Sequence, residues 1–308
     1  MSNGQPTSAA LPERKSISLE LTNICNLRCS YCMRDEDALY HTPANFFPVE
    51  LLSEIIRSSK RPECGFNSIS FTGGEVTIHP EFDEIVGAVA DESLHYSFVT
   101  NGWHFDRVYP VLVGRREALR VVAFSLDGPT RAEHDRWRGE GSFVRVVRAM
   151  TRCRAAGIPF ILKAGIRRDT VARLQEFALF AARLGADELH FAHFLPTSAA
   201  HEDESALTQD ERREAEHEIA ILSNIFKMPV GVVIGYHDID PKPACPALRG
   251  ETCNVDYRGR LSLCCNLSGY RGATGESDVV ADLNEEGFAA AFARLQDVAS
   301  AQLARRRA

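Results

Sequence analysis

The 308-residue chain lacks several features that would place it among membrane, secreted or nucleic-acid-binding proteins. It has no apolar run long enough to span a bilayer, and its N-terminal tail has no apolar stretch of signal-peptide type. It has no excess of positive charge, since the formal net charge is -7, and this argues against a nucleic-acid groove. It has no internal repeat. We therefore expect a cytoplasmic protein without membrane or nucleic-acid partners, built as one large domain or a large and a small one.

Cysteine, by contrast, is well represented. Without a secretion signal, the nine cysteines are expected to be metal ligands and buried thiols rather than disulfides. Cys25, Cys29 and Cys32 have the spacing C-x3-C-x2-C, which puts three thiolates on one short loop. Such a loop can hold three corners of a cubane iron–sulfur cluster and leave the fourth iron open to a small molecule. A zinc knuckle is the alternative, but no second C-x2-C or His pair completes a zinc site.

Strand-like apolar runs alternate with amphipathic helical segments from residue 16 to about residue 194. The predicted strands are Ser16–Leu21, Phe66–Phe71, His95–Thr100, Leu119–Ser125, Phe160–Ile166 and Glu188–Phe194. The helical segments between them include Val49–Ser58, Glu81–Asp91, Phe143–Ala156 and Thr170–Leu184. This alternation predicts an α/β fold with a parallel sheet and helical crossovers. Periodicity alone does not distinguish a six-stranded open barrel from a doubly wound sheet.

The pattern changes after this region. Leu207–Phe226 predicts a charged amphipathic helix, Val230–Tyr236 a strand, and the segment from Glu285 to about Ala304 a closing helix. Residues from about 241 to 275 are rich in Gly, Pro and Cys and are too irregular to form a packed core unaided. Within them, Asn254–Tyr257 and Arg260–Leu263 can pair as a hairpin.

Polar motifs follow the predicted strands at the end where ligands gather in a parallel barrel. Thr72-Gly73-Gly74-Glu75 follows the second strand; its glycines let the backbone approach a ligand, and its carboxylate suits an ammonium. Thr100-Asn101-Gly102 ends the third strand, and Ser125-Leu126-Asp127-Gly128 ends the fourth. The fifth strand carries Lys163 and is followed by Arg167-Arg168. A cation there either contacts a cofactor carboxylate or belongs to a solvated basic loop.

The cysteine run from Cys25 to Cys32 and the downstream Gly-Gly-Glu resemble the signature of the radical S-adenosylmethionine (radical SAM) superfamily, although Val76 replaces the usual proline. The resemblance implies a partial (β/α)6 barrel and a 4Fe–4S cluster on Cys25, Cys29 and Cys32. It implies that S-adenosylmethionine binds Glu75 through its amino group, with Ser125 and Asp127 near its ribose or carboxylate. The full set of cofactor-binding residues that it implies is Gly73, Gly74, Glu75, Asn101, Ser125 and Asp127.

The C-terminal cysteines carry a second resemblance. Cys245, Gly259 and Cys264 are spaced as at the start of the SPASM/Twitch auxiliary-cluster module, and Arg138–Phe143 is similar to a stretch in many such enzymes. No cysteine follows Cys265, so one auxiliary 4Fe–4S cluster is expected. Its preferred ligands are Cys245, Cys253 and Cys264. Cys265 is either the fourth ligand or a free thiol that donates hydrogen, and a zinc-stabilised loop is the alternative. Cys64 and Cys153 are expected to be structural.

The resulting division is a flexible tail over residues 1–15, a barrel over 16–228 and a small irregular auxiliary region over 229–308. The resemblance implies an enzyme that reductively cleaves S-adenosylmethionine to a 5′-deoxyadenosyl radical, which abstracts hydrogen from an unactivated C–H bond. Electrons would come from a flavodoxin- or ferredoxin-type donor. A non-enzymatic electron carrier or redox sensor is the alternative of a different class, but it would need no cofactor pocket.

The expected substrate is a natural product, either a small molecule such as a sugar or aminocyclitol, or a peptide. The expected outcomes are epimerisation, dehydrogenation or crosslinking. Only about fifteen residues precede the first strand, so a fused leader-peptide-binding domain is not expected. This favours a small substrate slightly, or a peptide maturase that works with a separate leader-binding partner.

Overall fold

A computed structural model describes residues 15–32, 43–196, 204–233, 245–265 and 279–307. Six parallel strands follow one another both along the chain and across the sheet. They are β1 (Ser16–Glu20), β2 (Ser68–Thr72), β3 (His95–Thr100), β4 (Leu119–Ser125), β5 (Phe160–Ile166) and β6 (Glu188–His193). This confirms the α/β prediction. Because the strand order never reverses, as it would in a doubly wound sheet, the topology is that of an open barrel.

The helices follow the strands in the expected alternation. They are α1 (Val49–Ser59), α2 (Phe82–Asp91), α3 (Phe105–Gly114), α4 (Arg131–Arg138), α5 (Ser142–Ala156), α6 (Leu174–Leu184), α7 (Gln209–Ile225) and α8 (Phe288–Arg307). The sequence analysis missed α3, which contains Pro110, and α4, which buries only His134. A capping box between Thr130 and Glu133 begins α4, and this Thr-x-x-Glu pattern was the available signal.

The two faces of the barrel sheet differ in chemistry. One face carries apolar side chains that join the buried faces of the helices in a single core, for example Leu19, Phe71, Phe98, Phe124 and Leu162. The opposite face carries partly exposed polar side chains, for example Ser18, Ser70, Ser97, Ser125, Lys163 and His190. Because side chains alternate between faces along a strand, this second set lines the interior of the open barrel.

The C-terminal part of the chain extends the same sheet. β7 (Val230–Val232) pairs with β6, while β8 (Thr252–Val255) pairs in parallel with β1. β9 (Arg260–Ser262) and β10 (Val279–Asp282) add antiparallel strands beyond β8, which confirms the predicted hairpin. The predicted boundary at residue 229 therefore falls within one continuous sheet. Residues 1–14 of the predicted tail and residues 234–236 of the predicted seventh strand lie outside the described residues.

Helix α8 returns to the barrel. The Ala289 N–H donates to Ser58 Oγ of α1 at 3.3 Å, and the rings of Phe288 and Phe292 pack edge-on against Phe66. The C-terminal helix agrees with the predicted one, and these contacts attach it to α1 and to Phe66. Among the described helices, none combines the length and the apolar character needed to cross a membrane.

Candidate active site at the carboxyl ends of the strands

The first cysteine group lies on the loop that leaves β1 at the carboxyl edge of the sheet. Cys25, Cys29 and Cys32 are free and partly exposed. Burial raises the pKa of Cys25 to about 12, and the charges of Glu75, Cys29 and Cys32 add to this effect. A turn joins the other two, because the Cys32 N–H donates to Cys29 O at 3.0 Å. The structure therefore brings the predicted cluster ligands to one place.

Two amide groups approach the sulfur of Cys25. The Leu27 N–H donates to Cys25 Sγ at 3.4 Å, and the Asn101 side-chain amide lies 3.8 Å from the same sulfur. Hydrogen bonds of this kind stabilise the electron-rich sulfurs of an iron–sulfur cluster. In the described part of the chain, no three Cys, His, Asp or Glu side chains converge as a single metal ion requires. Three cysteine thiols on one loop, with amides that approach one of the sulfurs, form a donor set that fits an iron–sulfur cluster.

The paired glycines after β2 bring two loops into backbone contact. The Gly74 N–H donates to Thr22 O at 2.8 Å, and the Glu75 N–H donates to Ile24 O at 2.9 Å. A Cβ on Gly74 would lie 1.8 Å from Ile24 O, and one on Gly73, where φ is +127°, would lie 2.5 Å from Thr22 O. Glycine is required here because the backbone of the cysteine loop occupies the space that a side chain would need, and contact of these glycines with a cofactor stays a prediction.

The Glu75 carboxylate is buried and joins the ends of β2 and β3. Its Oε1 accepts hydrogen bonds from the Thr77 N–H (3.1 Å), the Thr77 hydroxyl (2.6 Å) and the Thr100 hydroxyl (2.6 Å). Its Oε2 accepts from the Asn101 N–H at 2.8 Å. In this structure the Glu75 carboxylate connects the ends of β2 and β3 by hydrogen bonds. Its contact with the amino group of a cofactor stays a prediction.

Asn101 connects the end of β3 to the cysteine loop. Its side-chain amide donates to Asn26 Oδ1 at 3.0 Å, and its Oδ1 accepts from the Trp103 N–H at 2.8 Å. Ser125 ends β4 and pairs in register with Lys163 of β5. The predicted cofactor-binding residues from β2, β3 and β4 therefore follow neighbouring strand ends beside the cysteine loop.

Asp127, two residues beyond the end of β4, is held by a network of charged and polar side chains. Its side chain is only 2% exposed, and its Oδ1 accepts from Arg167 at 2.9 Å. Its Oδ2 accepts from Arg138 and from the Tyr31 hydroxyl, and Arg138 also donates to the Tyr31 oxygen at 2.8 Å. Burial alone would raise the pKa of Asp127, but the charges of Arg138 and Arg167 outweigh it and hold that pKa well below its usual range. The carboxylate is thus the centre of an internal ion network, and a contact of Asp127 with the cofactor stays a prediction.

This network anchors the cysteine loop through Tyr31, which lies between Cys29 and Cys32 in sequence. The Tyr31 ring packs edge-on against Trp137 and Phe194, with centroids 5.6 and 5.9 Å apart. The Arg167 guanidinium lies 4.2 Å from the Trp137 ring and 5.1 Å from the Tyr31 ring. This anchor was not predicted, although an aromatic residue inside the cysteine run was a local indication of it.

The second cysteine group consists of Cys245, Cys264 and Cys265. Burial raises the pKa of Cys265 to about 11; the charges of Cys264 and Cys245 raise it further, and that of Lys163 opposes them. Cys245 and Cys264 are therefore near enough to Cys265 for their charges to act on it. The strand β9 ends at Ser262, so Cys264 and Cys265 lie beyond it, and the alternation of side chains along a strand does not force them apart.

Cys253 does not belong to this group, contrary to the prediction. It lies in β8, its register partner is Ile17, and it is 1% exposed within the apolar core. Burial raises its pKa, and the one cysteine whose charge adds to the shift is Cys64. Its side chain therefore points to the helix-covered face of the sheet. Cys153 is fully buried on α5, as expected for a structural residue.

Comparison with known proteins gives a consistent picture. The family model described as the Radical SAM superfamily matches residues 19–181. The AdoMet-dependent heme synthase of Nitratidesulfovibrio vulgaris is 30% identical over 192 residues, 61% of this chain and 50% of that protein. The mycofactocin maturase MftC of Mycobacterium tuberculosis is 34% identical over 173 residues, 55% of this chain and 42% of that protein. The chain thus spans about half the length of these two relatives.

A further relative matches more of the chain. The PqqA peptide cyclase of Gluconobacter oxydans is 28% identical over 254 residues, 81% of this chain and 69% of that protein. Among solved structures, SuiB of Streptococcus suis bound to S-adenosylmethionine aligns with a TM-score of 0.75 at 13% identity, over 93% of this chain and 68% of that one. Another structure of SuiB contains its precursor peptide SuiA. At this identity, the likeness to SuiB shows the fold alone.

Proposed function

Because the chain belongs to the radical SAM superfamily, whose enzymes use S-adenosylmethionine and a 4Fe–4S cluster, we propose that it abstracts hydrogen from a peptide substrate. The observation that carries the proposal is the grouping of Cys25, Cys29 and Cys32 on one loop at the carboxyl edge of the barrel. The peptide is supported by two relatives, a maturase and a peptide cyclase. The heme synthase among the relatives supports a small molecule as the second candidate.

When bound, the cofactor and cluster supply one-electron cleavage of a sulfonium C–S bond and the hydrogen abstraction that follows it. The three cysteines would hold the cluster, and the amides of Leu27 and Asn101 would stabilise the charge on Cys25. Arg138, Arg167 and Asp127 hold Tyr31 and, through it, the loop. The polar interior of the barrel would receive the substrate.

Cys245, Cys264 and Cys265 would hold one auxiliary cluster. The remaining cysteines are accounted for, because Cys64, Cys153 and Cys253 are at most 1% exposed in the core. The auxiliary cluster would thus have three cysteine ligands. This role for Cys265 replaces the free-thiol hydrogen donor as our preferred assignment. A flavodoxin- or ferredoxin-type protein is the proposed source of electrons.

Anaerobic reconstitution with iron and sulfide tests the proposal. We expect about eight irons per chain in the wild type, the content of two 4Fe–4S clusters. Replacing Cys25, Cys29 and Cys32 with Ala should leave about four irons and abolish 5′-deoxyadenosine formation from S-adenosylmethionine and dithionite. Cys253→Ala is the matched control, and it should keep both clusters.

Formation of 5′-deoxyadenosine by the triple variant would show that the radical SAM site is elsewhere. Four irons in the wild type, unchanged when Cys264 is replaced with Ala, would exclude the auxiliary cluster. To identify the substrate class, candidate peptides and small molecules would be compared by their ability to stimulate 5′-deoxyadenosine formation. Stimulation by small molecules alone would contradict the peptide.

A further inference from the structure

Lys163 projects into the interior of the barrel from the middle of β5. Its neighbours Leu162 and Ala164 are 0% and 2% exposed against the helices, so Lys163 faces the other way. In register it lies between Ser125 of β4 and His190 of β6. The side chain is partly exposed there, and desolvation lowers its pKa.

The ammonium of Lys163 has no counter-ion in the described residues. No hydrogen bond or ion pair joins it to another described side chain. The acid nearest in register is Glu188, beside Ile161, and its carboxylate pairs with His190 Nε2 at 2.7 Å. The one described group whose charge acts on Lys163 is Cys265. A cation that faces the barrel interior without a counter-ion is available to an anionic group that enters the barrel.

We propose that Lys163 binds a carboxylate of the substrate, either an acidic side chain of a peptide or its C-terminal carboxylate. This inference rests on the proposed function and specifies the substrate class of the same site. A carboxylate would supply the missing counter-charge, and the hydroxyl of Ser125, next in register, lies on the same face of the sheet. The chain as a whole carries a net charge of -7 and repels acidic peptides, so their capture needs a local cation such as Lys163.

A rival role is that Lys163 balances the charge of a cluster held by Cys265. The two roles predict different results. A counter-charge to the cluster predicts that Lys163→Met changes the electron paramagnetic resonance spectrum and potential of the auxiliary cluster and leaves peptide selection unchanged. A substrate-binding role predicts that Lys163→Met changes peptide selection and leaves the spectrum and potential of the auxiliary cluster unchanged.

Selection from a pooled library of random octapeptides tests the proposal on the reconstituted full chain. One library has free C-termini and the other has amidated C-termini, which separates the two sources of carboxylate. The wild type should enrich Asp and Glu, or free C-termini, by about tenfold, as expected for one charge-assisted hydrogen bond. Lys163→Met should lose this enrichment, and Lys163→Glu should enrich Lys and Arg instead.

Lys60→Glu is the matched control, because Lys60 is exposed on the surface and pairs with Glu92. It should select peptides as the wild type does. Circular dichroism would show that each variant is folded; Lys163→Met replaces a partly exposed side chain by one of similar volume and should keep the fold of the wild type.

Three outcomes overturn the proposal: no acidic enrichment by the wild type, unchanged selection by Lys163→Glu, or a change of selection in Lys60→Glu equal to that in Lys163→Glu. If 5′-deoxyadenosine still forms in these cases, the proposed function stands and only the role of Lys163 is wrong. If the wild type forms no 5′-deoxyadenosine, the proposed function itself fails.

Discussion

Replacing Asp127 with Asn tests the ion network that anchors Tyr31 and the cysteine loop. The side chains involved are almost removed from solvent, with Asp127, Arg167 and Arg138 exposed by 2%, 0% and 13%. Asn preserves the shape of the side chain but leaves two guanidinium groups without their shared anion. Removing one partner of a buried ion pair costs about 3–5 kcal/mol, so we expect the free energy of unfolding to fall by about that amount.

The measurement is urea unfolding of the cluster-free protein at neutral pH, followed by circular dichroism. With a urea dependence of about 3 kcal/mol per molar, the unfolding midpoint should fall by at least about 1 M. Asp169→Asn is the matched control, because Asp169 also pairs with Arg167, at 3.1 Å, but is 35% exposed. A partly exposed pair of this kind contributes about 0.2–1 kcal/mol, so the control should lose much less stability.

The pH dependence of the stability difference between the wild type and Asp127→Asn provides a second check. Because the pKa of Asp127 is held below its usual range in the folded protein, its contribution is fully present above the unfolded value near 3.8. It is lost only as the pH falls through the lower folded pKa. The wild type should therefore exceed Asp127→Asn by a constant amount at neutral and mildly acidic pH, with the gap closing below about pH 4. An equal loss in Asp169→Asn, or a gap that closes near neutral pH, would refute the reasoning.

Three further predictions concern the loops and the second cysteine group. Gly74→Ala should lose iron binding at the first cysteine group, because its Cβ would lie 1.8 Å from Ile24 O, whereas Gly114→Ala, with open space at that position, should load iron normally. Thr130→Ala should lower the free energy of unfolding by about 1 kcal/mol in urea, because it removes the N-cap of α4, and a change near zero would contradict this cap. Cys265→Ala should lose the iron of the auxiliary cluster, and full iron content in this variant would return Cys265 to the role of free thiol.

Some features could be predicted because they depend on residues close together in sequence. The alternation of strands and helices gave a parallel α/β sheet, and five of the six predicted barrel strands agree with the observed ones to within one residue at each end. The second strand begins at Ser68, two residues after the predicted start. Helix α4 was missed because its sequence has little apolar periodicity, and it is held by a capping box.

The sequence by itself determined the first cysteine group, since a short loop keeps Cys25, Cys29 and Cys32 together whatever the rest of the chain does. It also determined that Gly73, Gly74 and Glu75 follow a strand, at the edge where ligands bind. Only the tertiary structure decided what those glycines contact. Their nearest atoms belong to Thr22 and Ile24, on a loop about 50 residues earlier in the chain.

The tertiary structure also decided which charged and sulfur-containing side chains meet. Asp127 pairs with Arg138 and Arg167 because helix α4 and the end of β5 return to the same place, and no local pattern encodes that meeting. Cys253 is not part of the second cysteine group, because pairing of β8 with β1 fixes the face of the sheet on which its side chain lies. In both cases the physical reason is the same: burial and partner choice depend on contacts between residues far apart in sequence, and these form only when the sheet closes.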